Sequence, residues 1–92
     1  MNKYLVEFLG TMLLSFVIFA TGNYLAIGAT LAIAIMLGGT ISTTVAYNPG
    51  IAVALLYGGK LPQNDLIPYI VAEIAGALAG FQLVKFGMNK TI

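Results

Sequence analysis

Tyr47-Asn48-Pro49-Gly50, followed by Ile51-Ala52-Val53-Ala54-Leu55-Leu56-Tyr57 and the stop Gly58-Gly59, is the stretch whose reading decides the fold. Asparagine is a preferred helix N-cap, because its side-chain oxygen accepts from a free backbone N–H of the first turn. Proline suits the first helical position, where its missing N–H has no partner to lose. Paired glycines end the run. The spacing predicts a capped helix over residues 49–57, about ten residues with its cap and roughly 15 Å long at 1.5 Å per residue. That is about half of a ~30 Å hydrocarbon core. A helix of half length in a membrane-spanning chain places free N–H groups and a positive dipole end at mid-bilayer, where protein or a water-filled cavity must satisfy them.

The surrounding composition is that of a membrane protein. The 92 residues are 60% hydrophobic and 8% charged, with a mean hydropathy of +0.98. At roughly 20 residues per span this length holds three transmembrane helices and one shorter element. With no cysteine and no histidine, the chain lacks thiol chemistry and the commonest metal ligand and general base. Its carboxylates stand apart at Glu7, Asp65 and Glu73. Those features point away from an enzyme, a metal site or a cofactor, and a net charge of +1 gives no reason to expect nucleic acid as a partner.

Working outward, 4–21 reads as the first span. A signal peptide is the rival reading, disfavoured because the apolar run is too long and Glu7 interrupts it. Residues 25–41 read as the second span, with Gly28 and Ala32 spaced to let another helix approach. Ser42 to Tyr47 is polar and β-branched, without charge. A surface-lying helix would show a charged face, which 51–57 lacks, so a re-entrant segment is expected. Residues 60–65 form an aqueous loop and 66–86 the third span, where Ala72, Gly76 and Gly80 mark a packing face. Tyr4, Tyr24, Tyr57 and Tyr69 fall near span ends, as interfacial anchors do. The expected fold is therefore an all-α, multi-pass membrane protein: three transmembrane helices plus one re-entrant half-helix, in a single unit over 1–92.

Four stretches carry a likeness to a known family. They are Glu7-Phe8-Leu9-Gly10-Thr11, Asn48-Pro49-Gly50, Ala54 to Lys60, and Tyr69 to Glu73 with Gly76 to Gly80. In that order and spacing they resemble one repeat of the major intrinsic protein family, the aquaporins and glycerol facilitators. Members carry two inverted repeats whose half-helices meet tip to tip. The resemblance implies a passive channel for water and small uncharged solutes such as glycerol. It implies that Asn48 caps the half-helix and turns its amide donors to the channel, that Pro49 and Gly50 form the tip, and that Thr44, Val45 and Ala46 offer backbone carbonyls to it. It also implies that Glu7 braces the Ser42–Tyr47 segment, with Thr11 and Glu73 as further braces. Glycine stands at 50 where alanine is usual, Ala46 where histidine is usual, and Glu73 where glutamine is usual. Ile51 follows the motif, as in a first-repeat copy; a second-repeat copy has the filter arginine there. The constriction is then expected to be more apolar than in a strict water channel.

One repeat does not enclose a pore. The expected partners are membrane lipid and a second copy of the chain in the opposite orientation, an antiparallel homodimer able to gather into higher oligomers. Lys3 and Lys60 fall on one side and Lys85 and Lys90 on the other, so the lysine bias that orients a membrane protein is balanced. Three further readings stand beside this one: a small dual-topology proton-coupled exporter using Glu7, a structural or lytic membrane peptide, and pairing with a different chain that supplies the arginine.

Overall fold

The computed structural model describes all 92 residues. It is helical, without strands. Helix α1 covers Lys3–Thr21, α2 Tyr24–Gly38, α3 Pro49–Tyr57 and α4 Leu66–Gln82. A single 3-10 turn, Gln63–Asp65, leads into α4, and a π-helical turn, Leu83–Gly87, ends it. Local chemistry sets the boundaries. The Asn2 side chain accepts from Leu5 N–H at 2.8 Å and that of Asn23 from Ala26 N–H at 2.9 Å, each satisfying a first-turn donor. Gly22, at φ 59°, closes α1 in the left-handed conformation, which glycine adopts without penalty.

Lys3–Thr21 and the continuous helical run Gln63–Gly87 are long and apolar enough to cross a membrane. The second span is shorter than the expected 25–41. Its helix stops at Gly38, and residues 39–41 form a turn, with Ser42 N–H bonded to the Gly38 carbonyl at 2.8 Å. Fifteen residues give about 22 Å of helix.

Small residues bring α1 and α4 together. A Cβ at Gly76 would run into the Phe8 carbonyl, and one at Gly80 would lie 2.5 Å from the Met12 carbonyl. Contact this close, backbone to backbone, is what small-residue faces allow. Ala72, one turn before Gly76, is half-buried. On α2 the picture differs from expectation: Gly28 and Ala32 are exposed and a Cβ at Gly28 meets open space. The small residues that α2 turns inward are Ala34 and Gly38, two positions on around the helix, because the chain's own contacts are made at the C-terminal end of α2.

Two small apolar clusters support the interior, one of Val6, Ala34 and Tyr47 and the other of Ala52, Leu61 and Tyr69. Tyr69 is thus not an interfacial anchor. It is fully buried, its ring edge-on to Tyr4 at 6.1 Å, while Tyr24 and Tyr57 are exposed. Only 16 of the 92 residues are buried, so most apolar side chains face outward, as a lipid-facing surface requires. The molecule measures 41 × 23 × 23 Å.

The two ends are distinct. At one, Asp65 accepts from Lys3 Nζ at 2.6 Å and from the Tyr4 hydroxyl at 2.7 Å, beside Lys60 in a polar pocket. At the other, Lys90 Nζ donates to the carbonyls of Phe19 and Ala20 at 3.0 and 2.9 Å. These are unpaired carbonyls of the last turn of α1, a favourable place for a cation.

Candidate pore-lining segment and half-helix tip

Residues 42–48 connect α2 to α3 without a helical ladder, so their backbone groups need other partners. Glu7 supplies two. Its Oε2 accepts from Ala46 N–H at 3.0 Å and its Oε1 from Tyr47 N–H at 2.8 Å. The Glu7 side chain is wholly buried, so this forked acceptor holds the chain where it enters the half-helix.

Tyr47 is the residue that sequence reasoning missed. Its φ is +56°, a left-handed conformation uncommon for a residue with a large side chain. Tertiary contacts hold it there: the buried hydroxyl donates to the Ala34 carbonyl at 2.6 Å. The ring fills the space left by missing side chains at Gly10 and Gly38, where any Cβ would overlap it. The signal was present in Gly10, inside the Glu-Phe-Leu-Gly-Thr stretch, but nothing in the sequence says which ring it admits.

At the tip, Asn48 is extended (φ −159°, ψ 125°), and its side-chain oxygen accepts from Gly50 N–H at 2.7 Å and Ile51 N–H at 3.3 Å. The cap uses the oxygen alone. The two N–H donors of the amide stay free on an exposed residue. Pro49 is half-buried at the first helical position, while Gly50 and Ile51 are exposed. A Cβ at Gly50 would meet only the Asn48 capping oxygen, at 3.2 Å.

The carbonyl row differs in part from expectation. The Thr44 carbonyl is taken, accepting from the Tyr69 hydroxyl at 2.6 Å and from Ser42 Oγ at 2.9 Å. Thr44 Oγ1 in turn donates to the Lys60 carbonyl at 2.8 Å. The buried Tyr69 explains the difference. No donor within the chain reaches the carbonyls of Val45 or Ala46.

Thr11 and Glu73 sit next to the brace but make no hydrogen bond. Glu73 is fully buried, and neither of its carboxyl oxygens has a partner; nor does Thr11 Oγ1. The Glu7 carboxyl and the Asn48 backbone N–H flank Glu73 without a bond of proper geometry to it. A groove of about 450 Å³ opens here, lined by Thr11, Asn48, Pro49 and Glu73 at one end and by Ile18 and Leu78 farther along.

A short apolar helix is thus capped by Asn48 and held at its root by the buried carboxylate of Glu7. Comparison with known proteins gives the family. The chain is 37% identical over 93 residues to glycerol uptake facilitator protein-like 6 of Lactiplantibacillus plantarum, covering 92% of this chain and 43% of that protein. It is 37% identical to aquaporin Z of Brucella melitensis and 32% to aquaporin Z of Rhodopseudomonas palustris, over 86% and 90% of this chain and 41% and 40% of those proteins. No protein-family model and no solved structure matches it. The chain belongs to the major intrinsic protein family. It spans about two-fifths of the length of these relatives, which are named as aquaporins and a glycerol uptake facilitator.

Proposed function

We propose that the protein is a passive channel for water and small uncharged solutes such as glycerol, built by two copies in opposite orientations. The observation that carries this reading is the Asn48 tip: a capped, exposed helix start with two free amide donors, tied at its root to buried Glu7. A passing water or hydroxyl oxygen accepts from those donors, and the unbonded carbonyls of Val45 and Ala46 accept its hydrogens in return. Two half-helices of about 14 Å, tip to tip, cover the hydrocarbon thickness. Their facing positive ends disfavour cations and protons, as is generally understood for aquaporin-type pores. Ile51, half-exposed on the first turn, leaves the constriction apolar.

Pairing in opposite orientations is supported by the even division of lysines between the ends, Lys3 and Lys60 against Lys85 and Lys90. Exporter chemistry at Glu7 is disfavoured, since both of its oxygens are engaged by backbone N–H groups. The test is stopped-flow swelling of proteoliposomes under osmotic and glycerol gradients. The parent chain is expected to raise water permeability well above empty liposomes. Asn48→Asp still caps α3 but replaces the two donors with negative charge, and is expected to return permeability close to the empty-liposome value. A parent indistinguishable from empty liposomes would overturn the channel.

A further inference from the structure

The polar pocket at the Lys3 end has Thr43 and Thr44, the start of the segment that leads to Asn48, on its wall, together with Lys60, Asp65 and Tyr69. The Thr44 carbonyl accepts from the Tyr69 hydroxyl at 2.6 Å and from Ser42 Oγ at 2.9 Å. A carbonyl oxygen has two lone pairs and each hydroxyl has one hydrogen, so these two donors fill the acceptor completely. Both donors are fixed. Ser42 is buried, its N–H on the Gly38 carbonyl at the end of α2. Tyr69 is fully buried on α4, packed on Ala52 and Leu61, with its ring edge-on to Tyr4. Tyr4 in turn donates to Asp65, which pairs with Lys3. Neither hydroxyl leaves the carbonyl without breaking buried contacts.

We infer that Tyr69 and Ser42 are specificity-determining residues of the channel: by filling the Thr44 carbonyl they withdraw it from the row that meets the solute, and so hold down the passage of polyols relative to water. The inference rests on the channel reading above and names the residues that set its solute preference. The contrast with the next two positions is the first reason. No donor within the chain reaches the carbonyls of Val45 or Ala46, whereas Thr44, the one nearest the mouth, has two. One donor is enough to satisfy a buried carbonyl; the second removes the capacity that a solute would use. The chemistry of the solutes is the second reason. A water molecule entering in file still bonds to the molecules ahead of it and behind it. Glycerol brings three hydroxyls, sheds their hydration at the entrance, and needs an acceptor from the wall for each hydrogen it brings in. The net worth of one hydrogen bond changes a rate by roughly twofold to tenfold, so an acceptor closed at the mouth slows glycerol more than water.

Stopped-flow on proteoliposomes gives water and glycerol permeabilities of the same preparation, and their ratio is independent of how much of the protein has folded. Tyr69→Phe keeps the ring and its packing and frees one lone pair of the Thr44 carbonyl; Ser42→Ala frees the other. Each is expected to raise the glycerol-to-water ratio by about threefold or more, and the double variant to exceed both. Tyr4→Phe is the comparison. It removes the bond to Asp65 at the same mouth but leaves the Thr44 carbonyl filled, so its ratio is expected to match the parent even if its Tm falls. An unchanged or lowered ratio in either Tyr69→Phe or Ser42→Ala, measured where the parent conducts water, would overturn the assignment and leave the channel standing. A rise of the same size in Tyr4→Phe would overturn it too, since it would mark general damage at the mouth. A parent that passes no more water than empty liposomes would overturn the channel, and this inference with it.

Discussion

Glu7 and Glu73 lie side by side, fully buried, and chemistry treats them differently. Glu7 spends both oxygens on the N–H groups of Ala46 and Tyr47. Glu7→Ala leaves two buried donors unpaired, at about 1–3 kcal/mol each; a loss of about 2–6 kcal/mol in detergent unfolding is expected, together with loss of water flux. Glu7→Gln keeps one acceptor and is expected to fall between. No donor reaches either Glu73 oxygen with hydrogen-bond geometry, though the Asn48 N–H and the Glu7 carboxyl lie beside it. Glutamine there brings its own N–H₂, which can donate to Glu7. Glu73→Gln is expected to raise stability by about 1–3 kcal/mol, read as a higher Tm in detergent with permeability retained. An unchanged or lowered Tm would show that Glu73 already has its partner. The role of Glu7 was legible from its motif; the missing bonds of Glu73 were not, because satisfaction of a buried group depends on which neighbours the fold brings within reach.

At the scale of elements, α1 and α4 are held together by what is absent. Gly76 and Gly80 meet the α1 backbone at Phe8 and Met12, and backbone cannot yield as a side chain does. Gly76→Ala is expected to push the helices apart, destabilising by about 1–3 kcal/mol as overpacking does despite the gain in helix propensity. Gly28→Ala is the contrast: its Cβ meets nothing in the chain, so folding of the single copy should change only by the propensity gain of about 1 kcal/mol. Parallel urea or thermal unfolding of the two variants separates packing from propensity. The spacing of small residues in 72–80 was readable because α4 repeats it every turn. In α2 the same kind of spacing pointed to Gly28 and Ala32, but the chain's own contacts fall on Ala34 and Gly38. A stripe of small residues shows where close approach is allowed, and only the placement of the neighbouring helix shows where it happens.

At the scale of the whole molecule, orientation becomes the question. If both orientations are needed, biasing the chain toward one should abolish function. Gln63→Lys with Asn64→Lys adds two lysines to the Lys3 end, and Asn23→Lys with Asn89→Lys adds two to the other. Orientation follows the lysine and arginine excess, so each variant is expected to insert one way and give water flux near the baseline. Expressed together, the oppositely biased variants supply both orientations and are expected to restore flux. Flux from either variant alone would refute the antiparallel pore while leaving a channel of another assembly.

The residues by themselves determined the membrane character and the half-length helix with its cap, which depend on composition or on local spacing, such as an asparagine before a proline; the family was legible through the resemblance of four motifs. Tertiary structure decided the rest: the left-handed Tyr47 locked over Gly10 and Gly38, the Thr44 carbonyl claimed by a buried Tyr69, and the groove beside the Asn48 tip. Those features join residues distant in the chain, Tyr69 to Thr44 across 25 positions and, along the groove, Ser15 to Ala77 across 62, and no local pattern encodes which distant group a side chain will meet once the helices have packed.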